Sequence, residues 1–272
     1  MSRAERHAKT RLMAGVPSPI ASSDVTDLLA PLLDLPGVAD GAEAAREALA
    51  KAHRHRTNLR NWPVTAAESA IRGARSSSAL DGGAVQLDAS GAEPNDPVLA
   101  GALRVGQALE GGTTSLVGVW QRAPLQALAR LHALAAADLI DEADLGRPRP
   151  VPEVAARLDL VTRLVTGASA APAPVLAAVA HGELLTLAPF GAADGVVARA
   201  VSRLVTMATG LDPHGLGVPE VYWMRRAEEY QASARAFATG VPEAVGGWLL
   251  MCCQAFEDGA REAMSIAEAA SK

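Results

Sequence analysis

Apolar residues return every third or fourth position along most of this chain, and Pro, Gly and Asp separate the stretches in which they do so. The pattern predicts helix after helix. Ser23 or Asp24 caps a first short helix. A longer one runs from Gly41 to Trp62 and ends before Pro63, because the residue ahead of a proline is pushed out of the helical region. Thr65 to Leu80 follows, stopped by Asp81-Gly82-Gly83, and residues 82–96 read as a loop. Pro97 opens a helix with Val98, Ala102, Val105 and Leu109 in register, ended by Gly111-Gly112. Pro124 opens another, with Leu125, Leu128 and His132 on one side. Residues 144–152 form a rigid Pro/Arg loop, and a short hairpin near Arg147–Val151 is the one candidate for strand. A helix over Val154–Leu164, a linker at 167–174 and a helix from Val175 come next. Val197, Val201, Leu204, Val205 and Ala208 then share one helix face, with Gly210 just past its end. Residues 173–187 and 195–209 are expected to pack as a pair around the 188–194 loop. Pro219 and Pro242 suit first helical positions, and Trp223, Ala227, Tyr230, Ala234 and Phe237 continue a helical ladder. The fold class is all-α, without internal repeats.

Composition narrows this picture. Only 3% of residues are aromatic and Ala is abundant, so the core is one of closely packed helices. Lys occurs only at Lys9, Lys51 and Lys272, and the excess of Arg together with Ala fits a GC-rich bacterial genome. A formal net charge of -5 argues against a general nucleic-acid binder. The basic run His53-Arg54-His55-Arg56, with Arg60, reads as a solvated helix face. Cys252 and Cys253 are adjacent, which suits free thiols in a cytoplasm rather than a disulfide framework. No signal peptide precedes residue 30 and no apolar run is long enough to span a membrane.

The chemistry-bearing stretch is 181–199, His181-Gly182-Glu183-Leu184 leading into Ala188-Pro189-Phe190-Gly191-Ala192-Ala193-Asp194-Gly195-Val196-Val197-Ala198-Arg199. It resembles the signature of the Fic (Fido) family, H-P-F-x-[D/E]-G-N-G-R-x-x-R. Pro189, Phe190, Gly195 and Arg199 match. Three further segments resemble the family in its own order. Ser76 to Gly82 resembles the inhibitory motif [S/T]-x-x-x-E-[G/N] at Ser77, Asp81 and Gly82. Leu128-Ala129-Arg130-Leu131-His132 and Gly146-Arg147-Pro148-Arg149 resemble the helix and Gly-x-x-Arg loop ahead of the core. Tyr222 to Phe256 resembles the closing helices. Together they cover residues 62–260.

The resemblance implies a Fic-type helical bundle with an N-terminal inhibitory-like helix and C-terminal closing helices. Its expected divisions are a flexible tail at 1–16, an N-terminal arm at 17–94, a core at 95–215 and closing helices at 216–272, in one compact unit. In the family the signature His deprotonates a target hydroxyl, the acid holds magnesium and two Arg clamp the phosphates of ATP, so that AMP passes to Ser, Thr or Tyr of a protein. At those positions this chain has Ala188, Ala192 and Val196, and Asp194 stands in place of Asn. General-base catalysis, worth about 10²–10⁴-fold, has no residue to perform it, and the metal has no carboxylate. The resemblance therefore implies no catalytic residue, metal or cofactor. It leaves an anion cradle of Asp194, Gly195 and Arg199, loop-shaping Pro189 and Phe190, and a regulatory-like Ser77 and Asp81. Asp194 also suits the N-cap of the following helix. In regulated relatives the inhibitory Glu pairs with the second signature Arg. Here Asp81 would face Arg199, one methylene shorter and so with a stretched or water-bridged contact.

His181, seven residues before Ala188, reads as a core histidine, with a substitute base on the cleft wall as the other reading. His181-Gly182-Glu183 has no P-C-x-x-C to complete a zinc deaminase, and no Walker A, H-E-x-x-H, G-x-S-x-G or dinucleotide fingerprint occurs. The sequence thus points to a bacterial, cytoplasmic binding or regulatory module of the Fic fold without AMP transfer. The alternative is a divergent enzyme using the cleft for another phosphorylated ligand or nucleotidyl chemistry. The expected partner is a protein or a phosphorylated small molecule, not nucleic acid or membrane, with a homodimer left open.

Overall fold

A computed structural model of the chain describes residues 27–86, 95–110 and 116–271. Among these residues there are eleven α-helices and no strand. They are α1 (Val38–His53), α2 (Arg56–Leu80), α3 (Pro97–Leu109), α4 (Leu116–Arg122), α5 (Pro124–Ala136), α6 (Pro152–Arg163), α7 (Ala173–Leu187), α8 (Asp194–Ala208), α9 (Pro219–Arg225), α10 (Ala227–Phe237) and α11 (Pro242–Ala269). The first residues described lead into a 3₁₀ turn at Ala30–Asp34; Ser23, Asp24 and the 1–16 tail lie outside the described residues.

The centre of the bundle is the pair α7 and α8, as the spacing predicts. Every residue of α7 from Pro174 to Gly182 is buried, so this helix is apolar on all sides rather than on one stripe. Gly182 belongs to that burial: a Cβ there would sit 2.7 Å from Phe237 and from the Trp248 indole nitrogen. Around the pair, α11 packs on α1, α7, α9 and α10, while α2 lies across α3, α8 and α9. Trp120, Trp223 and Trp248 are the largest side chains fully enclosed, and they supply bulk that the Ala-rich helices lack.

Several boundaries differ from the pattern-based expectation. The helix foreseen over 41–62 ends at His53, and a second one passes through Pro63. His55 is extended and its Nδ1 accepts from the Thr57 N–H at 3.3 Å, which caps α2 where no Ser or Asp advertises a start. Pro63 does not end α2 because Asn61 leaves helical geometry (φ -144°, ψ 39°) and gives the ring room. Buried Asn58 ties the bend together: its amide donates to the Ala52 carbonyl and its Oδ1 accepts from Thr65 Oγ1, both at 2.8 Å. The ladder from Trp223 to Phe237 is likewise two helices, broken at Arg226 (φ -127°, ψ 40°). The hairpin near Arg147–Val151 is absent; the Arg149 N–H donates to the Pro189 carbonyl instead of to a partner strand. Leu125 is 49% exposed, so the buried side of α5 carries Leu128 and His132 without it. Helix α4 went unforeseen, its seven residues being too few for a periodic signal.

Candidate functional site

The loop between α7 and α8 is held in an unusual shape. Ala188 (φ 45°) and Ala193 (φ 53°) are the two non-glycine residues with positive φ among the described residues, and Gly191 (φ 86°) lies between them. A left-handed L-residue costs about 1–2 kcal/mol, so the surroundings must impose the shape. Three contacts do so. The Arg149 guanidinium donates to the Leu187 carbonyl at 2.9 Å and the Ala188 carbonyl at 3.0 Å, serving as a cation at the C-terminus of α7. From the other side, the Asp194 carboxylate accepts from the N–H of Phe190 at 2.9 Å and of Gly191 at 2.7 Å. Beneath, the Phe190 ring stacks on His132 at 4.0 Å between centroids.

Asp194 is therefore not the N-cap expected from the sequence. Ala193 takes that position, and Asp194 is the first residue of α8, its side chain turned back to the loop amides. Burial pushes its carboxyl above the usual range and the nearby Asp81 charge adds to this, while the two amides and Arg149 oppose it. His132 is enclosed, its Nδ1 accepting from the Gly146 N–H at 2.9 Å, which joins the 145–151 loop to the signature loop. Burial lowers its pKa, and the neutral ring suits the stack on Phe190. Gly146 (φ 73°) must approach α5 closely, since a Cβ there would lie 2.9 Å from the Ala129 carbonyl oxygen.

One turn into α8, Arg199 is buried to 1% exposure. Its Nε donates to Ser77 Oγ at 2.8 Å, and its Nη2 to the Ser77 carbonyl at 3.0 Å and to Asp81 Oδ1 at 2.8 Å. Ser77 and Asp81, the two residues singled out ahead of Gly82, thus meet Arg199. The shorter Asp81 makes the contact directly because Gly195 lets it come close. A Cβ on Gly195 would stand 2.4 Å from Asp81 Oδ1 and 2.6 Å from Oδ2. Val196 is buried, and neither Ala188 nor Ala192 has a polar side-chain atom. Among the described residues, no group of three or more His, Cys, Asp and Glu is placed to hold a metal ion.

His181 is not on the cleft wall. It is fully buried among Trp223, Tyr230 and Trp248, with its Nε2 2.8 Å from the Tyr230 hydroxyl. Burial and then the Arg199 charge hold its pKa well below the ordinary histidine range, so it stays neutral. Burial raises the Tyr230 hydroxyl in turn. Beside these groups a cleft of about 380 Å³ opens between the end of α2, α7 and α10, lined by Asp81, Thr186, Arg199, Tyr230, Gln231 and Arg235.

Two ionic clusters escaped the sequence reading. Arg203, one turn after Arg199, is bidentate to buried Glu220 at 2.6 and 2.9 Å and donates to the Gly215 carbonyl at 3.2 Å. Nothing in the sequence marks a pairing between separate helices, though Gly73 is its footprint: a Cβ there would meet Arg203 Nη2 at 2.6 Å. His53 Nε2 lies 2.7 Å from buried Asp212, so the basic run is only partly a solvated face.

No family model matches the chain, and no curated protein matches it either. Solved structures do. The crystal structure of a Fic family protein from Desulfovibrio desulfuricans G20 is similar at a TM-score of 0.59 and 15% sequence identity, over 85% of this chain and 74% of that one. At that identity the likeness is one of fold: this chain has a Fic-like, all-α architecture. No described helix is long and apolar enough to cross a membrane.

Proposed function

We propose that the chain is a Fic-fold binding or regulatory module that does not transfer AMP. The observation that carries this reading is the commitment of Arg199. Its Nε and Nη2 are engaged by Ser77 and Asp81, beside signature positions occupied by Ala188, Ala192 and Val196. An incoming phosphate would have to displace Asp81 and would also meet Asp194, whose lone pairs already serve the loop amides. Two like charges about 4 Å apart repel by about 4 kcal/mol at an effective dielectric of 20. Positions 188 and 192 offer no base and no metal carboxylate, and the two carboxylates beside them are engaged, Asp81 by Arg199 and Asp194 by the loop amides.

Incubation with magnesium and ATP labelled at the α-phosphate is expected to leave the protein alone unlabelled and to add no label to cell lysate beyond that of lysate without it. Ala188→His by itself is expected to restore nothing, since Ala192 and Asp194 still deny metal and phosphate. Label transfer that vanishes on substitution of Arg199 would overturn the reading.

The cleft beside Asp81 and Tyr230 favours a second reading, in which another phosphorylated ligand is used. A thermal-shift screen of nucleotides and phosphorylated metabolites separates the two. A ligand-specific rise in Tm that is lost in Arg199→Ala selects the second, and a flat response selects the first.

A further inference from the structure

Residues 48–67 hold Lys51, Arg54, Arg56 and Arg60 and no Asp or Glu, in a chain whose formal net charge is -5. The segment forms the elbow from the end of α1 into the start of α2. All four cations are exposed, and none is in an ion pair among the described residues. The acid that the elbow does contact, Asp212, is buried and held by His53. The inward side of α2 here is Asn58, Thr65 and Ala66, all buried. Arg56, Leu59 and Arg60, at i, i+3 and i+4, are exposed on the first turns of α2, and past the break at Asn61 the chain exposes Pro63 and Val64 as well. Leu59 is 69% exposed and Val64 54%. A solvated helix face would carry polar residues at its outermost positions; this one places aliphatic side chains among guanidinium groups.

We propose, in place of the sequence expectation of a solvated face and no membrane partner, that this elbow docks on an anionic bilayer surface, with the four cations on lipid phosphates and Leu59 and Val64 entering the headgroup–acyl boundary. Charge complementarity names the sign of the partner, and the exposed aliphatic residues name its kind. A nucleic-acid backbone offers phosphates but no apolar layer for Leu59 and Val64, whereas a bilayer surface offers both. Each basic residue near an anionic leaflet strengthens binding about fivefold, so four cations and two aliphatic side chains give weak, reversible attachment. The proposal is independent of the signature cleft.

The test is co-sedimentation of the full chain with vesicles of equimolar phosphatidylglycerol and phosphatidylcholine, and of phosphatidylcholine alone, at about 0.1 M salt. Binding is expected to the anionic vesicles only. Arg56→Ser and Arg60→Ser should each weaken it about fivefold. The double variant Leu59→Ser/Val64→Ser, exposed and therefore still folded by circular dichroism, should weaken it with no change in charge. Absence of sedimentation with anionic vesicles overturns the proposal. So does undiminished binding by the serine double variant, or tighter binding to duplex DNA than to vesicles in the same salt.

Discussion

Two arginines one turn apart on α8 make opposite use of the same burial. Arg203 has a single bidentate partner, Glu220, which is 3% exposed in its side chain; Arg199 spreads its bonds over Ser77 Oγ, the Ser77 carbonyl and Asp81, whose side chain is 25% exposed. The first is a closed pair in which each charge depends on the other. The second is a docking site for the end of α2, in which loss of the carboxylate still leaves two acceptors. A buried pair contributes little net stability when intact, because desolvation offsets attraction, but removing one member leaves a charge stranded. The two sites should therefore fail differently.

The largest effect is expected at the closed pair. Glu220→Ala should cost about 3–5 kcal/mol, because Arg203 keeps only the Gly215 carbonyl. Guanidinium chloride unfolding gives the value. A loss under about 1 kcal/mol would mean that water reaches Arg203, and the contrast with Arg199 would collapse.

Next comes the open site. Arg199→Ala should cost more than Asp81→Ala, the latter about 1–3 kcal/mol as a hydrogen bond to a charged group. The double variant should cost less than the sum, since neither charge is then left alone. Strictly additive melting losses would show that the two side chains do not interact in solution, contrary to the 2.8 Å contact.

The smallest effect sharpens the comparison through His181. Its pKa is held low by burial first and by the Arg199 charge second. A histidine kept neutral in the fold binds its proton only after unfolding, so its contribution is complete above about pH 6.5 and declines as pH falls from there toward the lowered value. Replacing Arg199 with Met removes the charge, lets the folded-state pKa of His181 rise and should end that decline at a higher pH. A decline that ends at the same pH in both proteins, read from denaturation curves, would assign the shift to burial alone.

Much of the bundle was legible because Pro at first helical positions and Gly after last ones are local signals: Pro97, Pro124, Pro219 and Pro242 each begin a helix where expected. The meeting of Ser77, Asp81 and Arg199 was legible only through motif order, since those residues are 122 positions apart or nearly so. What stayed hidden depends on partners far along the chain. Asn58 and Asn61 let α2 run through Pro63, which no rule about proline alone anticipates. Asp194 has the residue type of an N-cap, but two loop amides lie within its reach and claim it instead. Glu220 looks like an ordinary acid in the first turn of a helix until Arg203 is seen opposite it.

The loop between α7 and α8 keeps its form through side chains that are not those of positions 188, 192 and 196. Arg149 grips it by its carbonyls, Asp194 by its amides, and Phe190 anchors it on His132. Its outline and its lettering are thus written by different residues. The methyl groups of Ala188 and Ala192 make none of these bonds, whereas a change at Arg149, Asp194 or His132 would loosen the outline while leaving every letter in place. For a designer, the loop is a blank form already cut to size.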